Sequence, residues 1–183
     1  MSYVITGNPG VGKHTIANEI SKKSDLTILD INKIAEESGL FEKNEETNDV
    51  DVEKLTKIIE NKITNPVVIV GHLAPYVLNS SQVKKAIVFR KNPYDLIPIY
   101  EKREYSNEKI KDNIGSEILG VILYDTLEKF GSEKTLQVDV TSKTVEEITK
   151  MVLNIINGGI FTEDVDWLTE VAEKNDLQKF FVD

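Results

Sequence analysis

Cysteine is absent from this chain of 183 residues. Without thiols the protein can form neither a disulfide framework nor a thiolate metal site. The absence is typical of proteins from a reducing compartment, and we expect a cytoplasmic location.

Long apolar runs and excess positive charge are also missing. No segment approaches the roughly 18 apolar residues of a membrane-spanning helix, and the apolar run at residues 1–6 is too short for a signal peptide. Lys and Arg number 22 against 31 Asp and Glu, which gives a formal net charge of -9. This charge repels phosphate backbones, so we expect a soluble protein with no membrane association and no broad nucleic-acid surface.

What the chain does contain is a regular alternation of strand and helix patterns. Its length and its 40% hydrophobic content predict a single domain. Helices are predicted by apolar stripes at Leu55, Ile58, Ile59 and Ile63 and at Val145, Ile148, Val152, Ile155 and Ile156. Short apolar runs between the helical patterns favour strands buried on both faces, as in the parallel sheet of an α/β fold, at residues 3–6, 26–29, 67–70, 86–89 and 136–138.

Three segments differ from this alternation. Residues 42–54 carry six acids and two apolar residues, which predicts an exposed, mobile connection. A helical pattern starts at Ser106 and is interrupted by Gly115 and Gly120, which suits a pair of lid-forming helices. Residues 164–174 predict a short closing helix.

A phosphate-binding loop follows the first predicted strand. Residues 7–13 match G-x-x-x-x-G-K and precede a helical pattern, which is the context that the motif requires. Glycines let backbone N–H groups turn toward phosphate oxygens, and the lysine adds a charge at the β- and γ-phosphates. We therefore predict that an ATP-type triphosphate is bound by Gly7, Asn8, Pro9, Gly10, Val11, Gly12 and Lys13.

The residue after the lysine departs from the usual pattern. Ser or Thr normally gives a hydroxyl to Mg²⁺ here, whereas this chain has His14. Imidazole is a poor ligand for a cation that prefers oxygen, so we do not expect His14 to replace the hydroxyl directly, and a partly exposed helix-start residue is the alternative. Thr15 lies about 100° further round the helix, where a role at the α-phosphate is more natural.

The loop and several later segments together resemble one family. The segments are Gly71-His72, Phe89-Arg90, residues 103–106 with Lys109-Ile110, and Asn113 with Glu117. They are similar to the archaeal and eukaryotic adenylate-kinase-like family that includes the nuclear adenylate kinase, also described as an ATPase in small-ribosomal-subunit maturation. The resemblance runs to about residue 159, and residues 165–168 look like archaeal members.

This resemblance implies a three-layer P-loop NTPase fold with five parallel strands. It also implies an arm that accepts the nucleoside monophosphate at about residues 30–62 and a small lid at about residues 103–117. Near the last strand, residues 139–144 resemble the loop that frames the adenine ring, with backbone groups of Ser142 and Lys143 at the base edge. A plain strand-to-helix turn with Thr144 as its N-cap is equally consistent with those residues.

The resemblance further implies roles for Arg103 and His72. Arg103 matches an arginine in an R-G-Y-S pattern that closes on the ATP phosphates, although Glu104 replaces the glycine. Its guanidinium can bind two phosphate oxygens at once, while a surface ion pair with Glu101 or Glu104 is the alternative. His72 matches a histidine at the carboxyl edge of the sheet, where such folds bind ligands, and a structural histidine is the alternative.

Several positions depart from the family pattern. Val70 replaces an acid that holds the magnesium water shell, so the metal ligands stay unassigned. Where an arginine for the AMP phosphate is common, the chain has Glu36-Glu37, and Ile99 replaces a lid arginine. Fewer cations weaken the kinase prediction more than the ATP-binding prediction. Candidate replacements are Lys33, Lys43 and Arg90.

Together these features predict an ATP-dependent nucleoside monophosphate kinase with Mg²⁺ as cofactor, transferring phosphate from ATP to AMP. Lys13 would steady the transferred group, Arg103 would screen it, and His72 would position water, metal or acceptor phosphate. One alternative implied by the resemblance is an ATPase that assembles the small ribosomal subunit, with a basic ribosomal protein as partner. Another is a degenerate member that binds nucleotide with little turnover.

Overall fold

A computed structural model describes residues 1–43 and 48–181, with only the backbone described at residues 41–43, 48 and 49. The strands of this part of the chain are β1 (Ser2–Gly7), β2 (Thr27–Asp30), β3 (Phe41–Lys43), β4 (Asn48–Val50), β5 (Val67–Val70), β6 (Val83–Arg90) and β7 (Thr135–Asp139). Five of them form a parallel sheet in the order β2-β5-β1-β6-β7. Each predicted strand lies in this sheet, so the predicted α/β fold with five parallel strands is confirmed.

Helices cover both faces of the sheet. They are α1 (Lys13–Lys23), α2 (Ile31–Glu37), α3 (Val52–Lys62), α4 (Ala74–Val77), α5 (Pro93–Lys102), α6 (Asn107–Leu119), α7 (Val121–Phe130), α8 (Val145–Ile156), α9 (Trp167–Glu173) and α10 (Leu177–Phe181). Alternate side chains of β1 enter different cores because successive strand residues point to opposite faces. Ile5 packs with residues of α1, α5, α6 and α8, whereas Val4 packs with residues of α2, α3, α4 and α7. The result is the predicted three-layer arrangement.

The helical stripes agree with the predicted patterns except at one end. Leu55 and Ile59 are fully buried on α3, and Ile148, Val152 and Ile155 are buried on α8. Val145 is the exception, because it is the first residue of α8 and remains 45% exposed.

The acidic segment was predicted to be an exposed, mobile connection; residues 51–54 are exposed as predicted, but the described ends of the segment belong to two strands and a helix. Strands β3 and β4 pair in antiparallel register, with Phe41 opposite Val50, and α3 begins at Val52. A hairpin is held by backbone hydrogen bonds, so it can form without the apolar face that this sequence lacks. The Asp51 carboxylate starts α3 by accepting a hydrogen bond from the backbone N–H of Lys54 at 3.0 Å. Residues 44–47, the centre of this prediction, lie outside the described part of the chain.

The predicted pair of helices after Ser106 is confirmed as α6 and α7. Gly120 separates them in a left-handed conformation with φ 66°, whereas Gly115 lies within α6. The closing helix begins later than predicted, at Trp167, because Asp166 caps it by accepting from the backbone N–H of Thr169 at 3.0 Å. Helix α10 follows and was not predicted. Within residues 1–43 and 48–181, no helix is both long and apolar enough to cross a membrane.

Candidate active site

The phosphate-binding loop lies between β1 and α1, as the motif requires. Gly10 and Gly12 have φ 84° and 86°, in the left-handed region that favours glycine. Gly7 is needed for a different reason, since a Cβ atom there would lie 2.5 Å from the carbonyl oxygen of Phe89 on β6. Ile99 packs against this loop at Gly10. A Cβ atom added to Gly10 would lie only 3.1 Å from Cγ2 of Ile99.

Lys13 is buried, and its ammonium group bonds to a backbone carbonyl oxygen. Its side chain is 5% exposed, and its Nζ donates a hydrogen bond to the carbonyl oxygen of Asn8 at 2.8 Å. Burial lowers the pKa of Lys13 from 10.5 to about 7, the charge of Arg103 lowers it further, and Glu117 and Asp30 oppose both effects. Among the side chains that the structure describes, no carboxylate lies within ion-pair distance of Lys13, and Glu117 and Asp30 act on it only from further away. A bound phosphate would supply a negative charge in direct contact with the ammonium group.

His14, in the first turn of α1, contacts the carboxylate of Asp30. Its Nε2 lies 3.0 Å from Oδ2 of Asp30, and its side chain is 49% exposed, as expected for a helix-start residue. Asp30 ends β2, and its Oδ1 accepts hydrogen bonds from the backbone N–H groups of Asn32 and Lys33 at 3.0 and 3.2 Å. From the sequence, Asp30 and Thr15 are the first residues to examine should a residue other than His14 supply a magnesium ligand, and an acid at the carboxyl end of a parallel strand is an indication in favour of Asp30.

Magnesium, which a P-loop kinase implies, prefers oxygen ligands. Asp30 fits this requirement because its carboxylate lies beside the first turn of α1 and acts on the charge of Lys13. Val70 is fully buried and offers no donor. The described residues contain no group of three or more His, Cys, Asp or Glu side chains that could hold a metal ion by themselves. A metal here would therefore depend on the phosphates of the nucleotide.

His72 lies at the carboxyl edge of the sheet, directly after β5. Its ring is mostly buried, and the pKa of His72 falls to about 4 because of burial first and the charges of Lys13 and His14 second. The imidazole is neutral at physiological pH, so one ring nitrogen can donate a hydrogen bond and the other can accept one. The predicted site residues Lys13, His14 and His72 are thus close enough to act on one another.

Arg103 lies at the end of α5, where its backbone N–H donates to the carbonyl oxygen of Ile99 at 3.2 Å. Its side chain is exposed, and among the described residues neither of the predicted alternative partners, Glu101 and Glu104, forms an ion pair with it. Its charge acts instead on Lys13. Glu104 has φ 57°, a left-handed conformation, which explains why a glycine is common at this position in the R-G-Y-S pattern.

A buried carboxylate, Glu117 on α6, reaches the loop from the other side. It is 1% exposed, and its Oε2 accepts a hydrogen bond from Nδ2 of Asn8 at 2.7 Å. Its Oε1 accepts from Arg90 Nε at 2.9 Å and from Trp167 Nε1 at 3.0 Å. Sequence analysis used Glu117 only as a family marker and assigned it no role.

Arg90 was considered as a replacement cation for the acceptor phosphate, and the structure contradicts this. Its side chain is 3% exposed and is bound by the Glu117 carboxylate and, through Nη2, by the Glu117 carbonyl oxygen at 2.8 Å. Lys33 remains accessible, with its Nζ 3.8 Å from the Glu37 carboxylate on the same helix. The side chain of Lys43 lies outside the described part of the chain.

The loop after β7 forms the predicted turn. Thr144 starts α8 with a reciprocal capping box, in which its Oγ1 accepts from the backbone N–H of Glu147 at 3.2 Å. Ser142 has φ 55°, and Lys143 Nζ donates to the carbonyl oxygen of Asp139 at 2.5 Å and lies 3.1 Å from the Glu163 carboxylate. The roles of Ser142 and Lys143 at the adenine ring stay predictions.

Known proteins are similar to this chain in sequence. A family model described as "AAA domain" matches residues 4–120. A "Putative adenylate kinase" of Pyrococcus furiosus is 34% identical over 177 residues, which is 95% of this chain and 94% of that protein. A protein of the same name from Methanococcus maripaludis is 34% identical over 165 residues, 86% of this chain and 89% of its own length.

Solved structures of lower identity show the same fold. A shikimate kinase from Bacteroides thetaiotaomicron superposes with a TM-score of 0.57 at 16% identity, covering 86% of this chain and 98% of its own. A shikimate kinase from Aquifex aeolicus gives a TM-score of 0.53 at 18% identity, covering 86% and 97%.

Proposed function

This chain belongs to the P-loop family of its adenylate-kinase-like relatives, and we propose that it transfers the γ-phosphoryl group of ATP to AMP, forming two ADP. The proposal rests mainly on the burial of Lys13 and on its hydrogen-bond partner. A lysine that is 5% exposed and bonded to a single carbonyl oxygen loses hydration, and among the described side chains it gains no carboxylate within ion-pair distance. The phosphate groups of a nucleotide supply a counter-charge, and loop N–H groups with the start of α1 bind the same anion.

The surrounding side chains fit phosphoryl transfer, which depends on positioning and on neutralising negative charge. Lys13 binds the phosphates from within the loop. Arg103, exposed at the end of α5 and free of ion pairs among the described residues, can turn toward the transferred group. Neutral His72 can orient the acceptor phosphate or a water molecule by hydrogen bonding without adding charge.

Magnesium is proposed to bind with ATP, with Asp30 as the protein carboxylate closest to fitting its preference for oxygen. When bound, the ion neutralises phosphate charge. The Asp30 carboxylate is held for this role by two N–H groups of α2 and by His14. The reaction needs no nucleophile from the protein, because the acceptor phosphate attacks.

The acceptor is proposed to bind over α2, between β2 and the β3–β4 hairpin. This helix follows Asp30 directly in the chain and carries the accessible cation Lys33. Glu36 and Glu37 are exposed on the same helix and would repel an anion. A single accessible cation beside two acids predicts weak binding of the acceptor phosphate.

A coupled assay of ADP formation, run with ATP alone and with ATP plus AMP, tests the proposed reaction. AMP should increase ADP formation several-fold, and replacing it by CMP, UMP or GMP tests the acceptor. Equal rates with and without AMP would contradict a kinase and favour an ATPase. ATP binding without ADP formation in either mixture would favour a degenerate member.

The role in small-subunit assembly stays a prediction from the family resemblance. No feature of the described residues favours a ribosomal protein as partner, and the relatives' names refer to kinase activity. The cytoplasmic location likewise stays a prediction from composition.

A further inference from the structure

The Asn8 side chain is held at both ends by helix α6. Its Nδ2 donates to Oε2 of Glu117 at 2.7 Å, and its Oδ1 accepts from Oγ of Ser116 at 3.1 Å. A carboxylate can only accept here, so the amide group has one orientation that satisfies both contacts. The Asn8 side chain is therefore fixed on α6.

The backbone of Asn8 makes a hydrogen bond with a different residue, Lys13. Its carbonyl oxygen accepts the hydrogen bond from Lys13 Nζ at 2.8 Å. Asn8 itself is 4% exposed, so neither contact is replaced by water. Fixing the side chain on α6 consequently fixes the carbonyl that orients the ammonium group.

The carboxylate of Glu117, which holds the Asn8 side chain, accepts hydrogen bonds from four residues. Besides Asn8, Glu117 accepts from Arg90 Nε at 2.9 Å, Trp167 Nε1 at 3.0 Å and the backbone N–H of Lys91 at 3.1 Å. Stability alone does not call for this arrangement, because apolar residues of similar volume often replace a buried ion pair with equal or greater stability. A negative charge on the inner side of the loop also favours the charged form of Lys13.

We propose that Glu117 is a positioning residue for ATP binding, which holds Asn8 and so presets the phosphate loop and Lys13 before the nucleotide arrives. This inference rests on the proposed binding of ATP at the loop and is independent of AMP as the acceptor. The benefit of a preset loop is that less conformational freedom is lost on binding.

A double-mutant cycle in ATP affinity tests the proposal. The variants are Asn8→Ala, Glu117→Gln and the double variant, and ATP binding is measured by calorimetry at a temperature where circular dichroism shows each to be folded. Each single change should weaken binding about tenfold, as expected for one hydrogen bond to a charged group. The double variant should bind ATP no more weakly than the single variant with the lower affinity, because both substitutions remove the same hydrogen bond between Asn8 and Glu117.

Trp167→Phe is the matched control. It removes a donor from Oε1 of Glu117 and leaves the contact between Oε2 and Asn8 in place. We expect it to lower the melting temperature and to leave ATP affinity within about twofold. A purely structural role for Glu117 predicts that all three single variants behave alike, with lower stability and unchanged affinity.

Glu117→Gln leaves the buried Arg90 charge without its partner, so that variant can fail to fold. Asn8→Ala and Ser116→Ala change no charge and keep the test decisive. Weaker ATP binding by both, with Trp167→Phe unaffected, supports the proposal. Unchanged affinity in Asn8→Ala, or additive effects in the cycle, overturns it. A wild-type protein that does not bind ATP at all contradicts the proposed function instead.

Discussion

Nε2 of His14 lies 3.0 Å from Oδ2 of Asp30, so the residue in the usual place of the magnesium hydroxyl is bound to the carboxylate that ends β2. The carboxylate is the only hard oxygen ligand that the pair offers, and one of its oxygens is occupied by the imidazole. We therefore expect magnesium to bind weakly in the wild-type protein.

His14→Thr supplies an oxygen ligand and releases Asp30 from the imidazole. It should lower the magnesium concentration needed for half-maximal phosphoryl transfer or hydrolysis. The measurement is a magnesium titration at fixed ATP, with thermal stability checked for effects on the start of α1.

His14→Ala is the control for this titration, because it releases Asp30 without adding a hydroxyl. A gain in His14→Thr alone assigns the effect to the new oxygen. If the wild type already saturates at low magnesium and His14→Thr shows no gain, another residue supplies the ligand, and Asp30→Asn and Thr15→Val identify which.

Lys13→Ala should weaken ATP binding by about 1.5–3 kcal/mol, the usual contribution of a hydrogen bond to a charged group. Calorimetry measures the loss directly. Lys22→Ala is the matched control, since Lys22 lies on the same helix but is exposed and paired with Glu19 at 2.7 Å. Equal affinity of Lys13→Ala and the wild type would exclude this loop as the phosphate site.

ATP affinity should fall as pH rises through about 7, where the Lys13 ammonium of the empty site begins to lose its proton. Phosphates bind the protonated form, so ATP binding takes up a proton above this pH, and the loss of affinity is at most about tenfold per pH unit. The groups that set this pKa besides burial are Arg103, Glu117 and Asp30. Calorimetry in buffers of different ionisation enthalpy measures the proton uptake.

Lys13→Met should abolish this proton uptake, which separates it from the titration of ATP itself.

The lowered pKa of Lys13 also affects the free energy of unfolding of the protein without nucleotide. Between about pH 7 and 10.5 the unfolded chain keeps a proton that the folded chain loses, so stability rises with pH in the wild type. If the free energy of unfolding changes equally little with pH in the wild type and in Lys13→Met over this range, Lys13 has an ordinary pKa.

Arg103→Ala should lower kcat while ATP affinity stays within a few-fold, because an exposed residue at the edge of the site meets the phosphates chiefly in a closed state. Steady-state kinetics and calorimetry give the two quantities separately. Lys102→Ala, one residue earlier and also exposed, is the control for a general loss of positive charge. Lost affinity with an unchanged kcat would mean that Arg103 binds ATP in the ground state.

Arg90→Met should reduce the free energy of unfolding by about 3–5 kcal/mol, because it leaves the buried Glu117 carboxylate without its ion pair. Chemical denaturation measures this loss. At a temperature where the variant is folded, the KM for AMP should stay close to the wild-type value, since Arg90 is buried away from solvent. A large rise in the KM for AMP with little change in the free energy of unfolding would show that Arg90 contributes to binding of the acceptor phosphate.

Local sequence patterns predicted the five-stranded sheet, several of the helices and the phosphate loop. Apolar runs such as residues 67–70 identify strands buried on both faces, and the glycines of residues 7–13 identify a loop that needs left-handed conformations. These features depend on neighbours within a few residues, so a single sequence carries them. The hairpin at β3 and β4 was missed because its pairing depends on backbone hydrogen bonds rather than on an apolar pattern.

The sequence by itself determined where the phosphate-binding loop lies, between β1 and α1. Only the tertiary structure decided which side chains support that loop. Glu117 and Asn8 are 109 residues apart in the chain, and Arg90 could be assigned to Glu117 rather than to an acceptor phosphate only once α6 was seen packed beside β6. Hydrogen bonds between distant residues follow from how whole elements pack, and no local pattern of apolar and polar residues records them.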